Sequence, residues 1–330
     1  MDENEGTDDR PWSPEEAATI ARAVNRAPSV HNTQPWSLSM RDRVVELHEQ
    51  HDAAPSRHDP QGRDRVISCG AALTNLVLAV RNLGWRAELA FGGDVGPLVS
   101  VTGSSRLPPT DAELRRYEAI AHRASHRRPF DPHPISEADE RALLNAANSV
   151  PSVRAQWISG SEEALHVARL LTYAARVQHA DASYQRELAS WIVQHNESER
   201  RGVPSEALGA QGLGAVGLVS GATHLPDETW LAARVEAESV LVLSTPDDGV
   251  RAQLNAGAGL ESAWLEGTHR ALGASVMTQC LQLSEIREGL AQRGHGADAV
   301  QALMRFGHPV ASVPRSARRP LEGIFHDDPR

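Results

Sequence analysis

The chain contains no lysine; each of its 33 basic residues is an arginine. That absence removes whole classes of chemistry. A pyridoxal enzyme or a Schiff-base aldolase needs a lysine amine, and a P-loop needs its phosphate-binding lysine. An anionic ligand must instead be held by arginine, histidine or backbone amides. Arginine suits the task, because its planar fork matches phosphate oxygens two at a time. Cysteine is nearly as scarce: Cys69 and Cys280 lie far apart and outside metal-type spacing, so neither a disulfide framework nor a zinc site is expected. No apolar run approaches about 20 residues, so no transmembrane helix is expected. The first residues, "MDENEGTDDRP", lack the basic start and apolar core of a signal peptide. They read as a disordered lead-in, residues 1–12, to a cytoplasmic protein. The net charge of -10 argues against a general nucleic-acid binder. Fifteen histidines form no HExxH, and no G-x-S-x-G elbow or Cys/His nucleophile stands out. No metal and no catalytic side chain are therefore expected.

What is present reads as alternating helices and strands. At 330 residues and 40% hydrophobic content, the chain can bury one large core or two ordinary ones. Ser13, Pro14 and Glu16 predict a capped helix start, and Pro28 prevents its continuation. "GAALTNLVLAVRNLGW" from Gly70 is apolar nearly all round, which predicts a buried helix. "VVELH", "RAELAF", "LVSVTG", "ESVLVLST" and "ALMRFGHP" read as strands. Two stretches echo each other in order: "PSVHNTQPW" at Pro28 with "PSVRAQWI" at Pro151, and "GAALTNLVL" at Gly70 with "GAGLESAWL" at Gly257. One α/β unit used twice explains both matches. "GLGAVG", Gly212 to Gly217, has the spacing of a dinucleotide loop but no β-branched run before it, so it reads as a flexible loop. In "HRASHRRPF", Arg123 and Arg127 stand four apart around Ser125; were the preceding helix to continue, both would converge on one anion. "RSARRPLEGIF" supplies further arginines near the end.

Together these motifs, with "GLESAWLEGTHRALGASVMTQ", resemble the nitroreductase superfamily of flavin enzymes, and within it the two-domain, Acg-type proteins of actinobacteria. Ordinary members are homodimers with FMN at the interface. One subunit supplies an arginine-serine motif and a C-terminal arginine, and the partner supplies a Pro-Ser-x-x-Asn-x-Gln-Pro-Trp loop. Here the first half keeps the loop, while the second keeps Arg123, Ser125, Arg127 and the terminal arginines. The resemblance therefore implies an α+β, nitroreductase-like fold duplicated in one chain, a monomer that mimics a dimer. Its halves would be 13–108 and 109–330, with a lid-like insertion at about 196–226. It implies one FMN whose phosphate meets Arg123, Arg127 and Arg318, with Ser125 close by and Arg315 or Arg319 replacing a usual lysine. Pro28, Ser29, Asn32 and Gln34 would line the ring and ribityl chain, and backbone amides at Met277 and Thr278 would face the flavin edge. The implied function is NAD(P)H-dependent reduction of a nitroaromatic or quinone by ping-pong hydride transfer. The alternative is a protein that sequesters FMN beneath a closed lid.

Overall fold

Ser13 opens the first helix as its sequence predicts. Its hydroxyl accepts from the Glu16 amide at 3.2 Å, and the Glu16 carboxylate accepts from the Ser13 amide at 2.8 Å. The computed structural model describes residues 10–52, 54–93, 95–194, 200–292 and 298–325. Residues 1–9 of the expected lead-in and 196–199 of the expected lid lie outside the described residues.

The first half runs α1 (Pro14–Asn25), β1 (Trp36–Arg41), β2 (Val44–Glu49), α2 (Arg63–Asn82), β3 (Trp85–Phe91) and β4 (Val99–Arg106), and the second opens with α3 (Asp111–Ile120). In the second half, α4 (Glu137–Asn148) and β5 (Arg154–Trp157) are followed by the long α5 (Ser161–Ala180) and by α6 (Ala182–Trp191). A two-stranded ribbon, β6 (Ile192–Val193) and β7 (Val203–Pro204), then leads to α7 (Leu213–Val216) and α8 (Glu228–Ala237). The half closes with β8 (Ser239–Thr245), α9 (Val250–His269), β9 (Gly273–Val276), α10 (Ser284–Ala291) and β10 (Ala299–Gly307).

Each half builds a four-stranded antiparallel sheet. The orders are β1-β2-β4-β3 and β5-β8-β10-β9, so counting strands within each of these sheets gives first-second-fourth-third in both. The duplication seen in two short strings thus extends to topology. Helices α2 and α9, which carry the second pair of matched strings, are buried along most of their length and pack on each other. They cross at the matched glycines. A Cβ on Gly70 would stand 2.1 Å from the Leu254 carbonyl oxygen, and one on Gly257 would stand 1.9 Å from that of Ile67. Only residues without a side chain permit backbones this close.

The structure departs from the sequence reading in three places. Strand β1 went unread because Ser37 and Ser39 alternate with Leu38; it pairs with β2 across a tight turn where Asp42 has φ 52°. Helix α3 stops at Ile120, so Arg123 and Arg127 do not share a helical face. The segment after it is recruited by a sheet edge: the His126 amide donates to the Ala274 carbonyl at 2.8 Å, and Ser125 bridges Ala274. The Gly212–Gly217 string is no loose loop, because Leu213 and Val216 enter the core of the second half on a single helical turn. Finally, the C-terminal tail returns to the first half, where the Leu38 amide donates to the Ile324 carbonyl at 2.8 Å. Cys69 and Cys280 are both buried and unpaired, and among the described residues no helix is long and apolar enough to cross a membrane.

Candidate functional site

The turn between α1 and β1 is strained and tied down from three sides. His31, Asn32 and Gln34 have φ of 44°, 57° and 51°, a left-handed conformation unfavourable to any residue with a side chain. Hydrogen bonds hold them there. The Ser29 hydroxyl accepts from the Gln34 amide at 3.0 Å, and the Val30 amide donates to Ser68 Oγ on α2 at 3.1 Å. Gln34 reaches both ways across the molecule. Its Nε2 donates to the Arg200 carbonyl at 2.7 Å, and its Oε1 accepts from the Arg319 amide at 2.8 Å. Proline on either side and a polar residue at each step make this chemistry legible; the partners come from other parts of the chain.

Two spaces meet behind the turn. One, of about 610 Å³, is walled by Pro28, Ser29 and Asn32, by Arg123, Ser125 and Arg127, and by Arg315 and Arg318 of the tail. The other, of about 650 Å³, shares Pro28, Ser29, Ser125 and Arg127 with the first and extends between α2 and α9. Asp64, Ser68, Trp264 and Thr278 stand along it, and Gly217 and Leu218 cover it. The cover is fitted closely, since a Cβ on Gly214 would stand 2.2 Å from the Arg127 carbonyl oxygen.

The arginines differ in how they are held. Arg123 donates to the Arg26 carbonyl at 2.8 Å, lies 3.4 Å from the Glu261 carboxylate and stacks over Trp264 at 4.6 Å. Glu261 is fully buried and neither of its oxygens has a hydrogen bond to a described residue. Burial pushes its carboxyl up to about 8, against the pull of Arg123 and Arg318. Arg318 donates to Asn32 Oδ1 at 2.7 Å, and burial draws its guanidinium down to about 9. Arg315 donates to the Ala121 carbonyl at 2.9 Å. Arg127 is half-buried at the junction of the two spaces, and burial alone draws it down to about 10. Among the described residues its guanidinium has no hydrogen-bond or ion-pair partner.

Of the residues singled out from the sequence, nine line these spaces: Pro28, Ser29, Asn32, Arg123, Ser125, Arg127, Thr278, Arg315 and Arg318. Three do not. Gln34 is buried behind the turn, and Arg319 turns away to the carbonyls of Gln34 and Gly323. The Met277 amide is committed to the sheet, donating to the Leu303 carbonyl at 2.8 Å, so it is not free to meet a ligand. Asp64, Trp264, Glu261 and the imidazole of His31 were not picked out as site residues. Asp64 lies in the first turn of α2, where its amide and that of Arg65 donate to the Asp59 carboxylate at 3.0 and 2.8 Å. Burial raises both acids, Asp59 to about 7 with the neighbouring Asp64 charge adding to the effect. One Asp64 oxygen accepts from Thr278 Oγ1 at 2.8 Å and Gln279 Nε2 at 3.0 Å.

No family model matches the chain. Relatives of known sequence do. An uncharacterized protein of Mycobacterium tuberculosis is 31% identical over 323 residues, covering 91% of this chain and 90% of the relative. From the same organism, the protein named "Putative NAD(P)H nitroreductase acg" is 29% identical over 312 residues, covering 91% of this chain and 92% of its own length. Among solved structures, a nitroreductase with bound FMN from Bacteroides fragilis superposes with a TM-score of 0.42 at 13% identity, over 62% of this chain and 94% of that one. That superposition is too partial to weigh; the similarity over nearly the full length of the mycobacterial proteins is what decides. The chain is related to the nitroreductase superfamily through mycobacterial proteins that match it over nearly its whole length, the Acg protein among them.

Proposed function

We propose that the two abutting spaces form one composite FMN site and that the chain is an NAD(P)H-dependent oxidoreductase acting on a nitroaromatic or quinone-type acceptor. The observation that carries this reading is Arg127, a guanidinium at the junction of both spaces with no described partner. A phosphate monoester carries close to two negative charges. Around it stand Arg123, Arg315 and Arg318, faced by one carboxylate, Glu261, which burial inclines to the neutral form. This excess of cations over carboxylates fits a phosphate. The neighbouring cavity, apolar on its α9 side and polar along the turn, fits a planar ring.

Bound FMN would supply hydride transfer between the nicotinamide and the acceptor. The chain's own groups supply the rest. Arg123, Arg127, Arg315 and Arg318 hold the phosphate. Ser29 and Asn32 present polar atoms to the linker between phosphate and ring, and Thr278 with Asp64 forms a polar edge at the far end. Gly217 and Leu218 exclude water from the ring cavity. The same cover favours a second reading, in which the chain sequesters FMN and does not turn over. Visible absorbance of the purified protein, followed by NADPH without oxygen, separates these readings. Loss of the flavin absorbance is expected. A yellow protein that NADPH never bleaches leaves only sequestration, and a colourless one that takes up no added FMN removes both.

A further inference from the structure

His31 has a ring nitrogen that neither the fold nor the phosphate clamp uses. His31 lines the ring cavity, and its Nε2 lies 2.6 Å from Nδ1 of the buried His58. On the far side, His58 Nε2 lies 2.9 Å from the Tyr184 carbonyl oxygen, and the His58 ring stacks on that of Tyr184 at 3.9 Å. These two contacts fix where the protons are. A carbonyl oxygen only accepts, so His58 Nε2 carries hydrogen. Neutral His58 then offers a lone pair at Nδ1, and the bond to His31 forms only if His31 Nε2 carries hydrogen. The remaining lone pair of neutral His31 sits on Nδ1, which no described residue engages.

Neutrality follows from the surroundings. Burial lowers both imidazoles. His31 is lowered further by His58 and by the Arg127 charge. Around His58, the Tyr184 carbonyl, Glu187 and Asp181 act in the opposite sense, and Arg57 lowers it again.

We propose that His58 locks His31 in a single tautomer, making His31 Nδ1 a fixed hydrogen-bond acceptor in the ring cavity that selects an uncharged edge bearing N–H or O–H. An edge presenting a carboxylate or a carbonyl would meet lone pair with lone pair. The inference rests on reading this cavity as the ring site of FMN, whose donors are its imide N–H and its ribityl hydroxyls. The backbone of His31 is held in a strained left-handed conformation, at φ 44° and ψ 25°.

The test is nitrogen NMR of the full chain carrying ¹⁵N-histidine, at pH 7, with and without FMN, signals being assigned through His31→Gln and His58→Phe. Both residues are expected as Nε2–H tautomers, and FMN is expected to move the His31 Nδ1 signal. A His31 protonated at Nδ1, or doubly protonated, overturns the lock; a Nδ1 signal unmoved by bound FMN overturns the acceptor role. FMN methylated at the imide nitrogen separates the sources: a lost shift assigns the imide, a retained one the ribityl hydroxyls. His58→Phe, which does not itself line the cavity, is expected to weaken FMN binding roughly tenfold in a protein that still unfolds cooperatively; unaltered affinity counts against the lock. If the chain takes up no FMN, the FMN reading fails, and the tautomers of the free protein still decide the lock.

Discussion

Arg127 and Arg123 stand four residues apart, yet their removal has opposite consequences. Arg127 has no described partner to orphan, so Arg127→Met is predicted to leave unfolding nearly unchanged while weakening FMN about tenfold to a hundredfold, the range for a charged hydrogen bond. Equilibrium binding and a denaturant melt on the same sample check both halves. Arg123 stands against the buried Glu261 and donates to the Arg26 carbonyl, so Arg123→Met leaves both without a partner and is predicted to cost about 1–3 kcal/mol of stability. Glu261 also gives stability a pH dependence of definite sign. Its folded-state value, about 8, lies above its ordinary value of 4.5, so between them the folded state holds a proton that the unfolded chain has released. Stability from this group is complete below pH 4.5, falls as pH rises, and levels off above about 8. Glu261→Gln is predicted to flatten that slope by a few kcal/mol, at about 1.4 kcal/mol per pH unit, in denaturant melts from pH 5 to 8.

At the scale of elements, two contacts depend on glycine, and each gives a test. Gly70→Ala puts a methyl against the Leu254 carbonyl, forcing α2 and α9 apart. The predicted cost is about 1–3 kcal/mol or more, whereas Gly93→Ala, with nothing within 4 Å, is the neutral control. Gly214→Ala would push the cover off the Arg127 carbonyl and against Arg305. FMN is predicted to leave that variant faster than the parent in a stopped-flow chase; an unchanged rate would mean that the cover does not gate the cavity. The sequence announced the first contact, since Gly70 and Gly257 head matched strings. The second it concealed, because a glycine-rich stretch without periodicity looks the same whether it is loose or packed.

For the whole molecule, the two sheets of equal topology and the single intact turn predict one site per chain. A preparation saturated with FMN is expected to carry one flavin per 35.7 kDa, and sedimentation is expected to give the mass of one chain. Two flavins per chain would mean that the worn turn at Pro151 still binds. The tail ties the two halves together. It belongs in sequence to the second half but pairs with β1 of the first, and it carries Arg315 and Arg318 to the turn.

By itself, the sequence determined what could be built. Lysine-free chemistry, a capped first helix, two glycine-headed buried helices and a turn of polar residues between prolines are properties of residue type and spacing. Those are local or periodic, so they can be read without coordinates. Only the tertiary structure decided which groups meet. Arg123 and Arg127 line one space because a sheet edge captured the segment after α3, not because a helix continued. Arg319 was withdrawn from the site by Gln34, the Met277 amide was taken by the sheet, and His31 was brought against His58. Each outcome turned on competition for one hydrogen bond between segments distant in the chain, and that competition leaves no mark in the order of the residues.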